Sequence, residues 1–296
     1  MPTGHRRKTT RPRDATGLQV YSARMPVDVD AVVISNTQLS DFYNVVALAA
    51  PDVARQARPG QFVMVKPDQG YDPLLRRPFS VFEILRDQDG EVTGLSLLNK
   101  RIGVTTRRLY DVAPGERVQC LGPLGQAFDA PAADQQAWMV AGGVGLAPFL
   151  TLAESLVEHS LTTRLFYGGR SADDLFYLET FESLGVTLEL TTDDGTRGHH
   201  GLVTGPLQRA LEATSPTTSV RLYSCGPTPM MRAVTELAAA HGRSTDVSLE
   251  QVMGCGLGGC YSCVVPVTES GQPTRFVRSC LQGPVFDGGR VDWNQL

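Results

Sequence analysis

From about Val27 to Pro131 the apolar positions fall in short runs: "DAVVISNTQL", "DFYNVVALAA", "GQFVMVKP", "PFSVFEIL", "VTGLSLLNK" and "ERVQCLG". Each is rich in Val, Ile, Leu or Phe, and Pro-Gly, Asp-Gly or similar breakers separate them. Such spacing predicts strands, and about six strands in around 100 residues suit a small antiparallel Greek-key barrel. From Trp138 to about Val247 the pattern changes to strand, Gly-rich turn, helix. "AWMVAGGVG" runs into the helical "LAPFLTLAESLVEHS". The strand "TRLFYGG" leads to a helix near "ADDLFYLETFESLG". "VTLELTTDD" then precedes "GPLQRALEA", and "SVRLYSCGP" precedes "TPMMRAVTELAAAHG". Strands alternating with helices predict a doubly wound parallel sheet. After Ser248 the chain is irregular, with four cysteines and many glycines. The expected fold is thus multi-domain β plus α/β with a small C-terminal module, divided at 27–131, 132–247 and 248–296.

Composition changes this picture little. In 296 residues, 42% hydrophobic and 20% charged content is that of an ordinary globular enzyme. A net charge of −4 gives no general affinity for nucleic acid. Residues 1–26 include the basic "GHRRKTTRPRD", without the apolar core of a signal peptide, and read as an unstructured leader or an expression remnant. The longest apolar runs fall short of the roughly 20 residues that span a bilayer. The expectation is a soluble protein of a reducing, cytoplasmic compartment that meets neither membrane nor nucleic acid.

Cysteines carry the strongest chemical signal. Cys255, Cys260, Cys263 and Cys280 give C-x4-C-x2-C-x16-C, the spacing used to ligate a plant-type 2Fe–2S cluster. A loop that wraps thiolates around two irons needs close backbone approach, which Gly254, Gly256, Gly258 and Gly259 permit. The competing reading is a structural zinc site, which favours two separated C-x2-C pairs and needs no glycine-lined loop. Cys120 and Cys225 stand alone in apolar contexts and read as buried small hydrophobes.

Gly142, Gly143 and Gly145 lie between a predicted strand and helix, where a pyrophosphate can meet backbone N–H groups. Their spacing is not G-x-G-x-x-G, and a plain tight turn is the alternative. The turn Cys225-Gly226-Pro227 follows a later parallel strand, so both turns belong to the ligand-binding edge of one sheet. There Cys225 could also face a nicotinamide. Asp173 and Asp174 would suit a ribose 2′-hydroxyl, whereas Arg170 and Ser171 could hold a 2′-phosphate. In the barrel, Arg77 stands before Pro78, Phe79 and Ser80; a guanidinium pairs with phosphate, and a hydroxyl can bond a flavin. An exposed basic turn is the alternative. Gly103, Thr105 and Thr106 form a second plausible phosphate cradle.

In this order the motifs R-P-F-S, "LGPLGQAF", "GGVGLAPF", "TTDDGTRGHHGLVT", "CGPTPMMRAV" and "CGLGGCYSC" resemble the ferredoxin reductase superfamily. Within it they are similar to the electron-transfer subunits of class 1B dihydroorotate dehydrogenases. The resemblance implies FAD in the barrel, NAD(H) on the α/β domain and a 2Fe–2S cluster in the last module. It places flavin contacts on Arg77, Pro78, Phe79 and Ser80, on Leu98, Asn99 and Lys100, and on Gly103, Thr105 and Thr106. Asn99 stands where the family has a ring-covering Tyr, and Thr105 where it has a second Gly. Nicotinamide contacts map to Gly142, Gly143, Gly145, Cys225, Gly226 and Pro227. The implied partner is an FMN-containing catalytic subunit, in a heterotetramer of two of each, with net flow from dihydroorotate to NAD. Similar subunits serve hydrogenases and ferredoxin:NADP oxidoreductases. A zinc-stabilised nucleotide-binding redox sensor is the rival of another class.

Overall fold

The computed structural model describes residues 25–67, 70–269 and 272–296. The basic leader therefore lies, but for Met25 and Pro26, outside the described residues.

The barrel is built from β1 (Val27–Gln38), β2 (Tyr43–Ala49), β3 (Phe62–Lys66), β4 (Arg77–Ser80), β5 (Glu83–Arg86), β6 (Val92–Lys100) and β7 (Arg117–Leu124). Their order is β4-β3-β7-β1-β2-β6-β5, every pairing antiparallel. The run "PFSVFEIL" reads as one strand but forms two. Val81 N donates to Gln61 O and Phe82 N to Ser96 O, so the chain crosses there from the β3 side to the β6 side. Helix α1 (Pro51–Ala54) is a single turn beside β6, and α2 (Val104–Asp111) follows β6 directly. Val33, Val46, Val63, Leu95, Leu97 and Val118 fill the interior.

The second sheet contains β8 (Gln135–Gly142), β9 (Thr163–Gly169), β10 (Thr187–Thr192), β11 (His199–His200), β12 (Ser219–Cys225) and β13 (Ser244–Ser248). From β8 the chain winds outward through β9 to β11, then returns to β12 and β13 on the other side. The sheet is therefore doubly wound, and its switch point lies between β8 and β12. Helices α3 (Phe149–Glu158), α4 (Leu178–Ser183), α5 (Thr204–Ala213) and α6 (Thr228–Ala240) cover it. The helix expected over "ADDLFYLETFESLG" is broken after one 3₁₀ turn at Ala172–Asp174. Phe176 and Tyr177 leave the helical path to set their rings on the barrel, 4.8 Å from Tyr43 and 4.7 Å from Phe82. Tyr177 reaches its position with φ of 59°. Here tertiary contact overrides local helix preference.

After β13 come the cysteine loop, the hairpin β14 (Val264–Val267) and β15 (Arg275–Arg278), α7 (Ser279–Gln282) and β16 (Val285–Asp287). Strand β16 pairs antiparallel with β13 and so extends the nucleotide sheet. On its other side the module docks on the barrel, where Met253, Cys263 and Cys280 pack with Phe62, Met64, Leu121 and Leu124. Both contacts leave the cysteine module wedged against the two larger domains.

One buried acid sits at that joint. Asp246 on β13 accepts from the Arg221 guanidinium at 2.7 Å, while Asp129 lies 3.6 Å from the same group. Desolvation outweighs the pull of Arg221 and pushes the Asp246 carboxyl up to about 6; Asp129 and Asp287 add to the rise. A raised folded-state pKa means that the native protein holds a proton which the unfolded chain has already lost. Stability should therefore fall as pH rises from about 4 to about 6, by at most about 3 kcal/mol. Chemical denaturation across that range should show the slope, and Asp246→Asn should flatten it.

Candidate functional site

The two glycine turns meet at the switch point. Gly142 ends β8, Gly143 adopts φ of +55°, and a 3₁₀ turn over Gly143–Leu146 leads toward α3. A Cβ on Gly142 would come within 2.7 Å of Met230 Sδ and 2.9 Å of Pro227 Cδ. One on Gly145 would lie 2.5 Å from the Cys225 carbonyl carbon and 2.7 Å from Gly226 N. A Cβ on Gly226, at φ of +153°, would lie 3.0 Å from Gly142 N. Gly142, Gly145 and Gly226 are thus required by the approach of one turn to the other at the sheet edge. Cys225 is fully buried, and desolvation raises its thiol far above the ordinary range. Its side chain packs in the core shared with the barrel, and that of Cys120 in the barrel interior.

At the neighbouring strand end, Asp174 is buried and accepts from both Arg170 N and Arg170 Nε. Its carboxylate is turned inward, so of the two candidate acids only Asp173 is exposed. The Arg170 side chain is two-thirds exposed and anchored by Asp174.

In the barrel the two adjacent arginines have different surroundings. Arg76 pairs with Asp28 at 2.8 Å and bonds Gln119. Arg77 is exposed on the edge strand β4, and its guanidinium contacts only the carbonyls of Leu75 and Arg76. That leaves a charged fork without a carboxylate among the described residues, beside the half-buried Ser80. Phe79, opposite Val63, packs against the barrel interior, and Pro78, opposite Met64, takes the other face of β4. Arg108 of α2 binds Asp72, in the loop that leads to β4, which brings α2 alongside this motif.

The second barrel segment divides by strand alternation. Leu98 is buried in the core shared with the α/β domain. Lys100 lies half-buried, with Nζ 5.2 Å from the centre of the Tyr43 ring. Asn99 is fully buried and cannot cover a ring; its amide donates to Asn44 Oδ1 and Thr106 O. Thr106 Oγ1 accepts from Ile102 N and Gly103 N and so caps α2, while Thr105 is buried. The Asn99 and Thr106 side chains are thus bonded to α2 and to the turn that enters it. Backbone N–H groups of its first turn, next to the open Gly103, remain for an anion.

The four cysteines line one loop and one helical turn. Cys260 is exposed, Cys255 half-buried, and Cys263 and Cys280 buried. Gly256 and Gly258 have φ of +71° and +81°, and side chains there would strike Met64 and Leu281. Tyr261 also takes positive φ, with Arg278 stacked 4.6 Å over its ring. Backbone amides point at sulfur as a cluster-binding loop requires: Leu257 N lies 3.4 Å from Cys255 Sγ and Cys280 N 3.5 Å from Cys263 Sγ. The Ser262 hydroxyl, 3.1 Å from Cys260 Sγ, lowers that thiol to about 6. Burial pushes Cys280 up to about 12; a cationic centre is what would bring it to thiolate. Among the described residues no three His, Cys, Asp or Glu side chains converge on a point as ligands of one ion. The donor set and its amide lining fit a two-iron cluster.

Residues 250–292 match the iron–sulfur cluster binding domain of dihydroorotate dehydrogenase B, and residues 139–236 an oxidoreductase NAD-binding domain. The electron transfer subunit of dihydroorotate dehydrogenase B (NAD(+)) from Desulforamulus reducens is 35% identical over 82% of this chain and 90% of its own length. The chain belongs to this electron transfer subunit family. Its counterpart from Geobacillus kaustophilus is 39% identical over 81% of this chain and 88% of its own. Among solved structures, an NADH-dependent reduced ferredoxin–NADP oxidoreductase, described for flavin-based electron bifurcation, superposes with a TM-score of 0.77. It is 28% identical and covers 90% of this chain and 91% of its own. The ferredoxin reductase of carbazole 1,9a-dioxygenase shares the fold, at 22% identity, 75% of this chain, 68% of its own and a TM-score of 0.64. As an electron transfer subunit of this family, the chain is an NAD-linked oxidoreductase component with an iron–sulfur module at its C-terminal end. No helix among the described residues is long and apolar enough to cross a membrane.

Proposed function

We propose that the chain moves electrons between NAD(H), FAD and a 2Fe–2S cluster, and exchanges them with the FMN-containing catalytic subunit of dihydroorotate dehydrogenase in pyrimidine biosynthesis. The carrying observation is the wedged cysteine module, which touches the barrel at Met64 and Leu124 and the nucleotide sheet through β16. FAD, when bound, supplies the conversion between a two-electron hydride transfer and the one-electron steps that a 2Fe–2S centre accepts.

On this reading residues 27–131 form the FAD barrel, 132–247 the NAD domain and 248–296 the cluster module. Arg77 and the first turn of α2 hold the flavin phosphates, with Ser80 and Lys100 beside the rest of the cofactor. The paired turns at Gly142–Gly145 and Cys225–Pro227 hold the dinucleotide. Cys255, Cys260, Cys263 and Cys280 ligate the cluster. Val252, Leu257, Tyr261 and Phe276 are large exposed apolar side chains on the same module. A cleft of about 500 Å³ opens beside Cys280 between Arg55, Arg58 and Leu257. Both features support a partner-docking face there, in a cytoplasmic heterotetramer of two of each subunit.

The test is co-expression of the full chain with the catalytic subunit. The pair should co-purify and reduce NAD with dihydroorotate, at a rate that collapses when this chain is omitted. The likeness to the ferredoxin–NADP oxidoreductase supports a second partner class. Recovery of a different large flavoprotein or a hydrogenase, with no dihydroorotate activity, would replace the pyrimidine assignment.

A further inference from the structure

Two buried asparagines and a half-buried third lie side by side in the barrel and end on helix α2. Asn36 lies on β1, Asn44 on β2 and Asn99 on β6, and Asn44 and Asn99 are direct cross-strand partners. Asn99 Nδ2 donates to Asn44 Oδ1 at 2.7 Å and to Thr106 O at 2.9 Å. Asn44 Nδ2 donates to Asn36 Oδ1 at 2.7 Å and to Leu109 O at 3.0 Å. Asn36 Nδ2 donates to Tyr110 O at 2.9 Å and Val112 O at 2.8 Å. Each amide spends both hydrogens, and every one of these protons lands on an acceptor. The orientation is therefore fixed, since a flip at Asn99 would set its oxygen against Asn44 Oδ1 and Thr106 O.

Such a chain is costly to bury unless its donors are satisfied. An eight-residue helix is marginal alone, and the carbonyls of its last turn have no partner within the helix. The amides capture two of those carbonyls, at Leu109 and Tyr110, and the next one beyond, at Val112. Through Thr106 the same chain reaches the opening turn, because Thr106 also ties Ile102 N and Gly103 N. The hydrogen-bonded chain thus joins the last turn of α2 to its first. We propose that Asn36, Asn44 and Asn99 are positioning residues, a relay that locks the α2 amino end where its N–H groups can receive the phosphates of FAD. The inference rests on the reading above that α2 binds those phosphates.

Riboflavin, which has no phosphate, separates positioning from general stability. Full-length protein stripped of flavin is titrated with FAD and with riboflavin, and its melting temperature is measured alongside. Asn44→Ala, and Asn36→Ala at the half-buried outer end where folding is better tolerated, should weaken FAD by about tenfold or more, the equivalent of a lost hydrogen bond to a charged group. Riboflavin affinity should stay within about twofold. Equal weakening of both ligands, or a lower melting temperature with FAD affinity unchanged, would reduce the relay to a structural brace and overturn the proposal. Val104→Glu, at the exposed first position of α2, tests the underlying reading. It should repel FAD and spare riboflavin, and unchanged FAD affinity there would remove the phosphate site and the proposal with it.

Discussion

Replacing Cys260 with serine should abolish electron delivery to the catalytic subunit while leaving NADH oxidation by a small-molecule dye within about twofold of normal. Cys260 is the exposed member of the four, so its loss disturbs no packing. Ser262 and Gly254 hold the loop around it through the Gly254 N to Ser262 Oγ bond of 2.9 Å, which the substitution leaves in place. What it removes is the proposed ligand whose thiol is held lowest, beside Ser262. Changes in the outer shell of metal sites alone cost 10–100-fold, so loss of the ligand itself should cost about a hundredfold or more in complex activity. Dye reduction draws on the flavin and needs no cluster. Steady-state assays of the assembled complex with both acceptors, together with iron analysis, check the split. Equal activity toward both acceptors at the normal level would mean that electrons leave by another route.

Gly145→Ala should have the second large effect, on nucleotide binding. The new methyl group would lie 2.5 Å from the Cys225 carbonyl carbon and 2.7 Å from Gly226 N, all main chain, so no side chain can swing aside. The two turns must separate. Overpacking of this kind costs about 1–3 kcal/mol even in cores that can adjust, and here it falls on the paired turns themselves. Dye-linked NADH oxidation should drop at least about tenfold in kcat/KM, chiefly through KM, and the holoprotein should melt at a lower temperature. Gly205→Ala, in α5, is the matched control. Its Cβ would meet nothing nearer than Arg209 Nη1 at 3.8 Å, so the substitution should leave nucleotide affinity unchanged.

The cysteine spacing, the strand–turn–helix alternation after Trp138 and the barrel runs were legible because each depends on local pattern. "VTGLSLLNK" and "TRLFYGG" coincide with β6 and β9 from end to end. What escaped reading depended on tertiary partners. Strand β13, "STDVS", is short and polar and is a strand because it is enclosed between β12 and β16. Strand β16 could not be assigned to the nucleotide sheet from sequence, since its pairing follows an excursion through the cysteine loop. Asp173 and Asp174 are equivalent in sequence, and only the fold shows that Asp174 is buried with Oδ2 on Arg170 while Asp173 is exposed. Asn99 stands where the resemblance implied a ring-covering Tyr, and its buried partner Asn44 lies more than fifty positions away in the chain. The signal that could have exposed the relay was alternation: Asn99 shares a strand face with Leu97, on the barrel interior, and not with Leu98 or Lys100.

The central claim is that electrons from NADH reach an iron–sulfur centre held by the four cysteines. Anaerobic titration of the full-length protein with NADH, followed by flavin absorbance and EPR, tests it most directly. The account predicts bleaching of bound flavin and the signal of a reduced 2Fe–2S centre, rising to about one spin per chain. A colourless protein that carries zinc, or a flavin that bleaches while no cluster signal develops, would contradict it.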